Sequence, residues 1–114
     1  MTLALANVTL DCADPTIVAR FWSAALDRPI DEGSSESFAS IGMADESRPA
    51  WFFIKVPEAK SAKNRVHVDL RADDREAEID RLVALGARRL YDHEEQGLRW
   101  TTLADVEANE FCVA

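Results

Sequence analysis

Residues 65–74, RVHVDLRADD, alternate strictly: Val66, Val68 and Leu70 fall on one side of an extended strand, His67, Asp69 and Arg71 on the other. The same alternation runs through the first strand-like stretch, with Val8, Leu10 and Cys12 against Asn7, Thr9 and Asp11. Each stretch then gives way to helical spacing. After the first, Asp14 stands at an N-cap and Pro15 at the first helical position, and Val18, Phe21, Trp22 and Ala25 recur on one face. After the second, Asp73 or Asp74 caps a helix whose apolar stripe is Ile79, Leu82 and Val83, and Gly86 ends it.

Three short strand-like runs follow each helix: 28–32, 37–43 and 51–56 in the first half, and 88–92, 98–103 and 109–113 in the second. The order βαβββ is therefore written twice, over about 1–57 and 65–114, with EAKSAKN (58–64) as the joint. The reading is α+β: two tandem βαβββ modules in one domain, forming a cupped mixed sheet around a cleft, with one helix covering each module's outer face. Apolar strand faces go to the helices. The polar faces then line the cleft, and Asn7, Thr9, His67, Asp69, Glu110 and Cys112 are its expected ligand-binding residues. The plainer alternative is an open sheet whose polar faces meet solvent.

Composition narrows the partners. Thirteen basic against twenty-one acidic residues give a net charge of −8, which disfavours nucleic acid and suits a cationic small molecule. Lys55, Lys60, Lys63 and Arg65 read as a solvated loop. The N-terminus lacks a cationic leader and no apolar run approaches the ~20 residues of a membrane span, so a cytoplasmic protein is expected. Cys12 and Cys112, the only cysteines, have neither disulfide-framework nor metal-cluster spacing and are expected to stay reduced.

The stretches LDCADPTIVARFWSAAL, KNRVHVDLRADD, LVALGA and LADVEANEFCV resemble the glyoxalase-like group of the vicinal oxygen chelate (glyoxalase/bleomycin resistance/dioxygenase) superfamily over almost the whole chain. The resemblance implies paired βαβββ modules and, in the enzymes of that group, a divalent metal held by the first and last strands of each module. Here those positions fall at Asn7, at Phe53 or Ile54, at His67 and at Cys112. Only His67 is a residue type the group uses there, so no metal and no cofactor is expected. The group's Asp-Pro-x-Gly turn reads Asp105-Val106-Glu107-Ala108, and the loss of glycine is expected to alter it.

Two functions follow as expectations. The first is a small-molecule binding or sequestering protein with a degenerate metal site, assembled as a homodimer by family resemblance. The second is a lyase or isomerase acting on a small carbonyl compound, with His67 as acid or base. A module whose cleft is filled by its own side chains is a third. Trp22 reads as helix packing, Trp51 or Trp100 as a platform for a planar ligand or as core, Cys12 as core, and His93 as a solvated turn residue in YDHEEQG. Asp69 could pair with Arg71.

Overall fold

The computed structural model describes residues 2–114, and the chain divides into two units, one ending at Ala59 and the other beginning at Lys60. In the first unit, β1 (Asn7–Cys12) leads through Ala13 and Asp14 into α1 (Pro15–Leu26), followed by β2 (Phe38–Ile41) and β3 (Ala50–Lys55). The sheet order is β1-β3-β2, with β3 parallel to β1 and antiparallel to β2. In the second unit, β4 (Val68–Leu70) precedes α2 (Arg75–Ala84), then β5 (Arg88–Glu95), β6 (Leu98–Ala104) and β7 (Glu110–Val113). Here the order is β4-β7-β6-β5, with β4 parallel to β7 and the other pairs antiparallel. Two helices and two mixed sheets make this an α+β fold built from a repeated module.

Local chemistry explains the helices. Asp14 accepts the amides of Thr16 at 3.1 Å and Ile17 at 3.3 Å, and Pro15 has no N–H to orphan. Val18, Phe21 and Trp22 are buried as their spacing requires, and Trp22 stacks on Trp51 of β3 with centroids 4.7 Å apart. Trp51 is therefore core. In α2 the cap is Asp74, accepting from Ala77 at 3.1 Å. Only Ile79 and Leu82 of its stripe are buried; Val83 is 44% exposed, which corrects its place in the stripe.

Charged groups complete what that thin stripe leaves. Arg75 of α2 reaches the Thr101 hydroxyl, which donates to Asp92 at 2.8 Å, while Arg89 grips both carboxylate oxygens of Glu76 and also Asp92.

Four other sequence expectations are corrected. The run 28–32 gives only a bridge from Ile30 to Ile41, because Pro29 lacks a ladder donor and Asp31 turns its carboxylate to the next turn. Strand β4 is only three residues long, so His67 precedes it, and Val66 is exposed instead of helix-packed. His93 is not in a turn: β5 continues to Glu95 and reverses at Gln96-Gly97, both with positive φ, as a two-residue hairpin requires. The turn at 105–109 survives without glycine. Ala108 takes φ 70, and the Asp105 carboxylate accepts the amides of Glu107 and Asn109, each at 2.9 Å.

Candidate functional site

The β1–β3 register settles which side chains share a face in the first unit. Asn7, Thr9 and Asp11 pair with Ala50, Phe52 and Ile54, while Leu10 pairs with Phe53. Ile54, 37% exposed, thus lies on the polar side, and Phe53, fully buried, on the helix side. Asn7 donates its amide to the Thr9 hydroxyl at 2.9 Å.

Next to Asn7 lies a pocket of about 340 Å³, with Ala50 and Phe52 from β3, Leu5 from the preceding segment, and Met43, Glu46 and Arg48 from the turn before β3. That turn is held from beneath at both ends. Asp31 accepts the amides of Gly42 at 3.2 Å and Met43 at 3.0 Å and the Ser40 hydroxyl at 2.7 Å. Arg28, 8% exposed, donates Nη1 to the Pro49 carbonyl at 2.9 Å, and its Nη2 has no partner among the described residues. A Cβ at Gly42, whose φ is +72, would collide with that guanidinium. Burial would raise the Asp31 carboxyl, but the amides of Met43 and Gly42, the Ser40 hydroxyl and the charge of Arg28 outweigh it and hold it below the usual range. Above it, Asp45 is held down at about 2 by the hydroxyl and amide of Ser47 and by Arg48.

The second unit carries the denser chemistry. Val68, Asp69 and Leu70 pair with Phe111, Cys112 and Val113, so Asp69 faces Cys112 directly. His67 Nε2 lies 3.5 Å from Asp69 Oδ1, and the donor atoms of His67, Asp69 and Cys112 all fall within 4.8 Å of one another. Arg71 is not the partner of Asp69. Glu110 shares this strand face but is tied to Lys63, a loop residue whose side chain is 73% exposed, at 2.8 Å and, through its amide, to Asn64. Cys112 is buried, and burial together with the Asp69 carboxylate pushes its thiol up, against the opposing pull of Thr102 and Lys63. Cys12 is also buried and unlinked.

Sequence reasoning missed two residues here. Thr102 of β6 pairs with Cys112, its hydroxyl 3.3 Å from the sulfur, and His93 Nε2 lies 3.1 Å from the same hydroxyl. His93 is half-buried and stacks on Trp100 with centroids 5.1 Å apart and planes 14° apart. The two-residue spacing of Trp100 and Thr102, and the Gln96-Gly97 turn, were the available signals.

The residues do not fit the hard divalent metal that the resemblance implies. Phe53 and Ile54 offer no donor atom, Asn7 offers a weak amide already bonded to Thr9, and Cys112 is a protonated, desolvated thiol. His67, Asp69 and Cys112 form a mixed nitrogen, oxygen and sulfur set, unlike the oxygen- and nitrogen-rich donors a hard ion takes.

A family described as "Glyoxalase-like domain" matches residues 7–114. Nothing among the curated proteins matches. Among solved structures, a glyoxalase/bleomycin resistance protein/dioxygenase family enzyme from Burkholderia phytofirmans aligns at 17% identity, with TM-score 0.78 and 97% of both chains covered. A fosfomycin resistance protein, FosX, from Listeria monocytogenes, crystallised as a variant with Mn(II) and a dihydroxypropylphosphonic acid, aligns at 15% identity, TM-score 0.79, covering 99% of this chain and 90% of the other. A lactoylglutathione lyase from Agrobacterium tumefaciens aligns at 14% identity, TM-score 0.70, covering 99% and 93%. At these identities the likeness establishes the fold alone. Among the described residues, no helix is long and apolar enough to cross a membrane.

Proposed function

This chain belongs to the glyoxalase-like domain family, and from that premise we propose that it binds and holds a small molecule without a resident metal. The observation that carries the reading is the pocket of about 340 Å³ beside Asn7. Its size falls in the range of small-molecule sites, roughly 300–1,000 Å³, and its lining mixes apolar side chains with Asn7, Asp45, Glu46 and Arg48. Leu5, Met43 and Phe52 supply the walls. Asp45 and Glu46 outnumber Arg48 at the rim, and Arg48 is already paired with Asp45 at 3.1 Å. The ligand class this favours has an apolar body and a cationic end. Thr9 in the first unit, and His67, Asp69, Glu110 and Cys112 in the second, are kept as proposed ligand-binding residues, each within its own unit.

The test is a titration of isotope-labelled protein with a panel of aryl amines, followed by NMR. Saturable shifts at Asn7, Met43 and Phe52, weakened about tenfold or more by Phe52→Ala, are expected, since losing one well-packed aromatic contact removes on the order of 1.4 kcal/mol or more. Shifts confined to other residues, or none, would overturn the reading.

One observation favours the second reading, a lyase or isomerase of a small carbonyl compound: Asp69 stands 3.5 Å from His67 Nε2, where a carboxylate orients an imidazole base. Turnover lost in both His67→Ala and Asp69→Asn would establish it. We further take the protein to be a cytoplasmic homodimer. Light scattering at the monomer mass across micromolar concentrations would refute the dimer.

A further inference from the structure

The two histidines of the chain stand at opposite ends of one line of side chains. His67 approaches Asp69 at 3.5 Å; Asp69 faces Cys112 across β4 and β7; the Cys112 sulfur lies 3.3 Å from the Thr102 hydroxyl; and that hydroxyl lies 3.1 Å from His93 Nε2. The line crosses all four strands of the sheet in spatial order, β4, β7, β6 and β5.

Hydrogen counting makes the line more than a set of contacts. The Thr102 hydroxyl has one hydrogen and two neighbours that can each give or take one. If His93 Nε2 carries no hydrogen, Thr102 donates to it and accepts from the Cys112 S–H. If His93 Nε2 carries one, Thr102 accepts it and donates to the sulfur, and the thiol hydrogen turns toward Asp69. The two arrangements exclude each other.

We propose that Thr102 and His93 are positioning residues behind the His67–Asp69–Cys112 cluster, and that the hydrogen on His93 Nε2 decides which way the Cys112 thiol points. The second unit's site is thereby widened from one strand pair to the whole sheet. Trp100, stacked on the His93 ring, fixes its plane so that Nε2 addresses Thr102. The charged and titratable groups around Cys112 are Asp69 from β4, Lys63 and His67 from the segment before it and, through Thr102, His93 from β5, while Glu110 of β7 and Tyr91 of β5 face Lys63. The raised thiol agrees with either arrangement, since burial, and after it Asp69, disfavours the thiolate in both. The proposal rests on placing a site at the His67–Asp69–Cys112 cluster and needs no ligand to be tested, so its failure is separable from failure of the binding reading.

Two measurements decide it, both on the full chain. The first is long-range proton–nitrogen NMR of the histidine rings. Cys112→Ala and Asp69→Asn, neither touching His93, are expected to move the His93 Nε2 resonance, and Thr102→Val to abolish the response to Asp69→Asn. The second is alkylation by iodoacetamide, read by peptide mass as the rate at Cys112 relative to buried Cys12, which corrects for general loosening. His93→Gln should change that ratio by about threefold or more in the parent chain and leave it unchanged beside Thr102→Val, as coupled residues in a double-mutant cycle require. Thr102→Ser, which keeps the hydroxyl, should keep the coupling even where Thr102→Val folds poorly. An unmoved His93 resonance, or equal effects of His93→Gln with and without the Thr102 hydroxyl, would overturn the relay.

Discussion

The two units repeat one chain order, save that the first has only the Ile30–Ile41 bridge where the second has β5, but hold their helices by different means. In the first, α1 buries Val18, Phe21 and Trp22, and Trp22 stacks on Trp51 beneath it. In the second, α2 buries only Ile79 and Leu82, and Arg75, Glu76, Arg89, Asp92 and Thr101 join it to β5 and β6. The opposite faces of the sheets differ in the same sense. The first presents Phe52 and Ile54 beside a self-satisfied Asn7–Thr9 pair, and the second presents His67, Asp69, Cys112, Thr102 and His93. A duplicated backbone thus keeps its topology while apolar and polar work are divided between the copies, as expected where function resides in side chains placed on a tolerant scaffold.

The sharpest test of this contrast is in the first core. Phe53→Ala should cost about 3–5 kcal/mol in urea unfolding, whereas Ile54→Ala, one residue along but on the other face, should cost under about 1 kcal/mol. Equal losses would refute the assigned face. In the second unit, Thr101→Val removes the hydroxyl that links Arg75 to Asp92, leaving Arg75 with Glu76 and Asp92 with Arg89, and should cost about 1 kcal/mol. That loss should shrink in molar salt, where partly exposed ion pairs are screened, while the Phe53→Ala loss should not.

Acid acts on both units, since Glu76 and Asp92 of the second also have lowered carboxyls, but of these three only Asp31 holds the turn of the first. Asp31 has a folded pKa below its unfolded value near 3.8, so its contribution is fully present above pH 4 and is lost as pH falls through the folded pKa. Asp31→Asn should therefore reduce the stability lost between about pH 4 and pH 2, with the change seen in amide exchange at Gly42 and Met43. An unchanged acid profile would show that the carboxylate does not hold the turn.

Smaller effects remain. Ala108→Gly removes the left-handed strain of an alanine at φ 70 and should stabilise by about 0.5–1 kcal/mol, read from the urea midpoint. His67→Ala and Asp69→Ala, at side chains 44% and 70% exposed, should change stability by under about 0.5 kcal/mol. Zinc at a hundredfold excess over a tight dissociation constant would add roughly 2.7 kcal/mol. No such rise is expected, and a rise abolished by His67→Ala would sink the metal-free reading.

Much of this was legible in the sequence where period and punctuation agree. Asp14-Pro15 and Asp74 mark the helix starts, Gly86 marks a stop, and the runs at 51–56, 98–103 and 109–113 alternate or persist long enough to be strands. The cluster of His67, Asp69 and Cys112 was legible from the same alternation. His93 was not. A register shift between Arg89 and Tyr91 decides which β5 side chains share a face with Thr102, and a one-residue irregularity reverses every assignment beyond it. Nor could the sequence choose between Phe53 and Ile54, because both are apolar and only pairing with β1 distinguishes their sides. The pocket beside Asn7 depends on a turn pinned by Arg28 and Asp31, residues far from it in the chain.

That turn also restricts how the chain can drift. With the Arg28 guanidinium lying where a Cβ on residue 42 would go, positions 28 and 42 form a contingent pair. A side chain at 42 must push aside the flexible end of Arg28 and take a left-handed φ of +72, so a lineage that exchanges glycine while keeping arginine displaces the guanidinium as well as straining the backbone. The intermediate would lose the hydrogen bond to Pro49 and slacken the pocket wall before gaining anything in return. Among descendants of this chain, glycine at 42 should outlast every other feature of the turn wherever arginine at 28 persists.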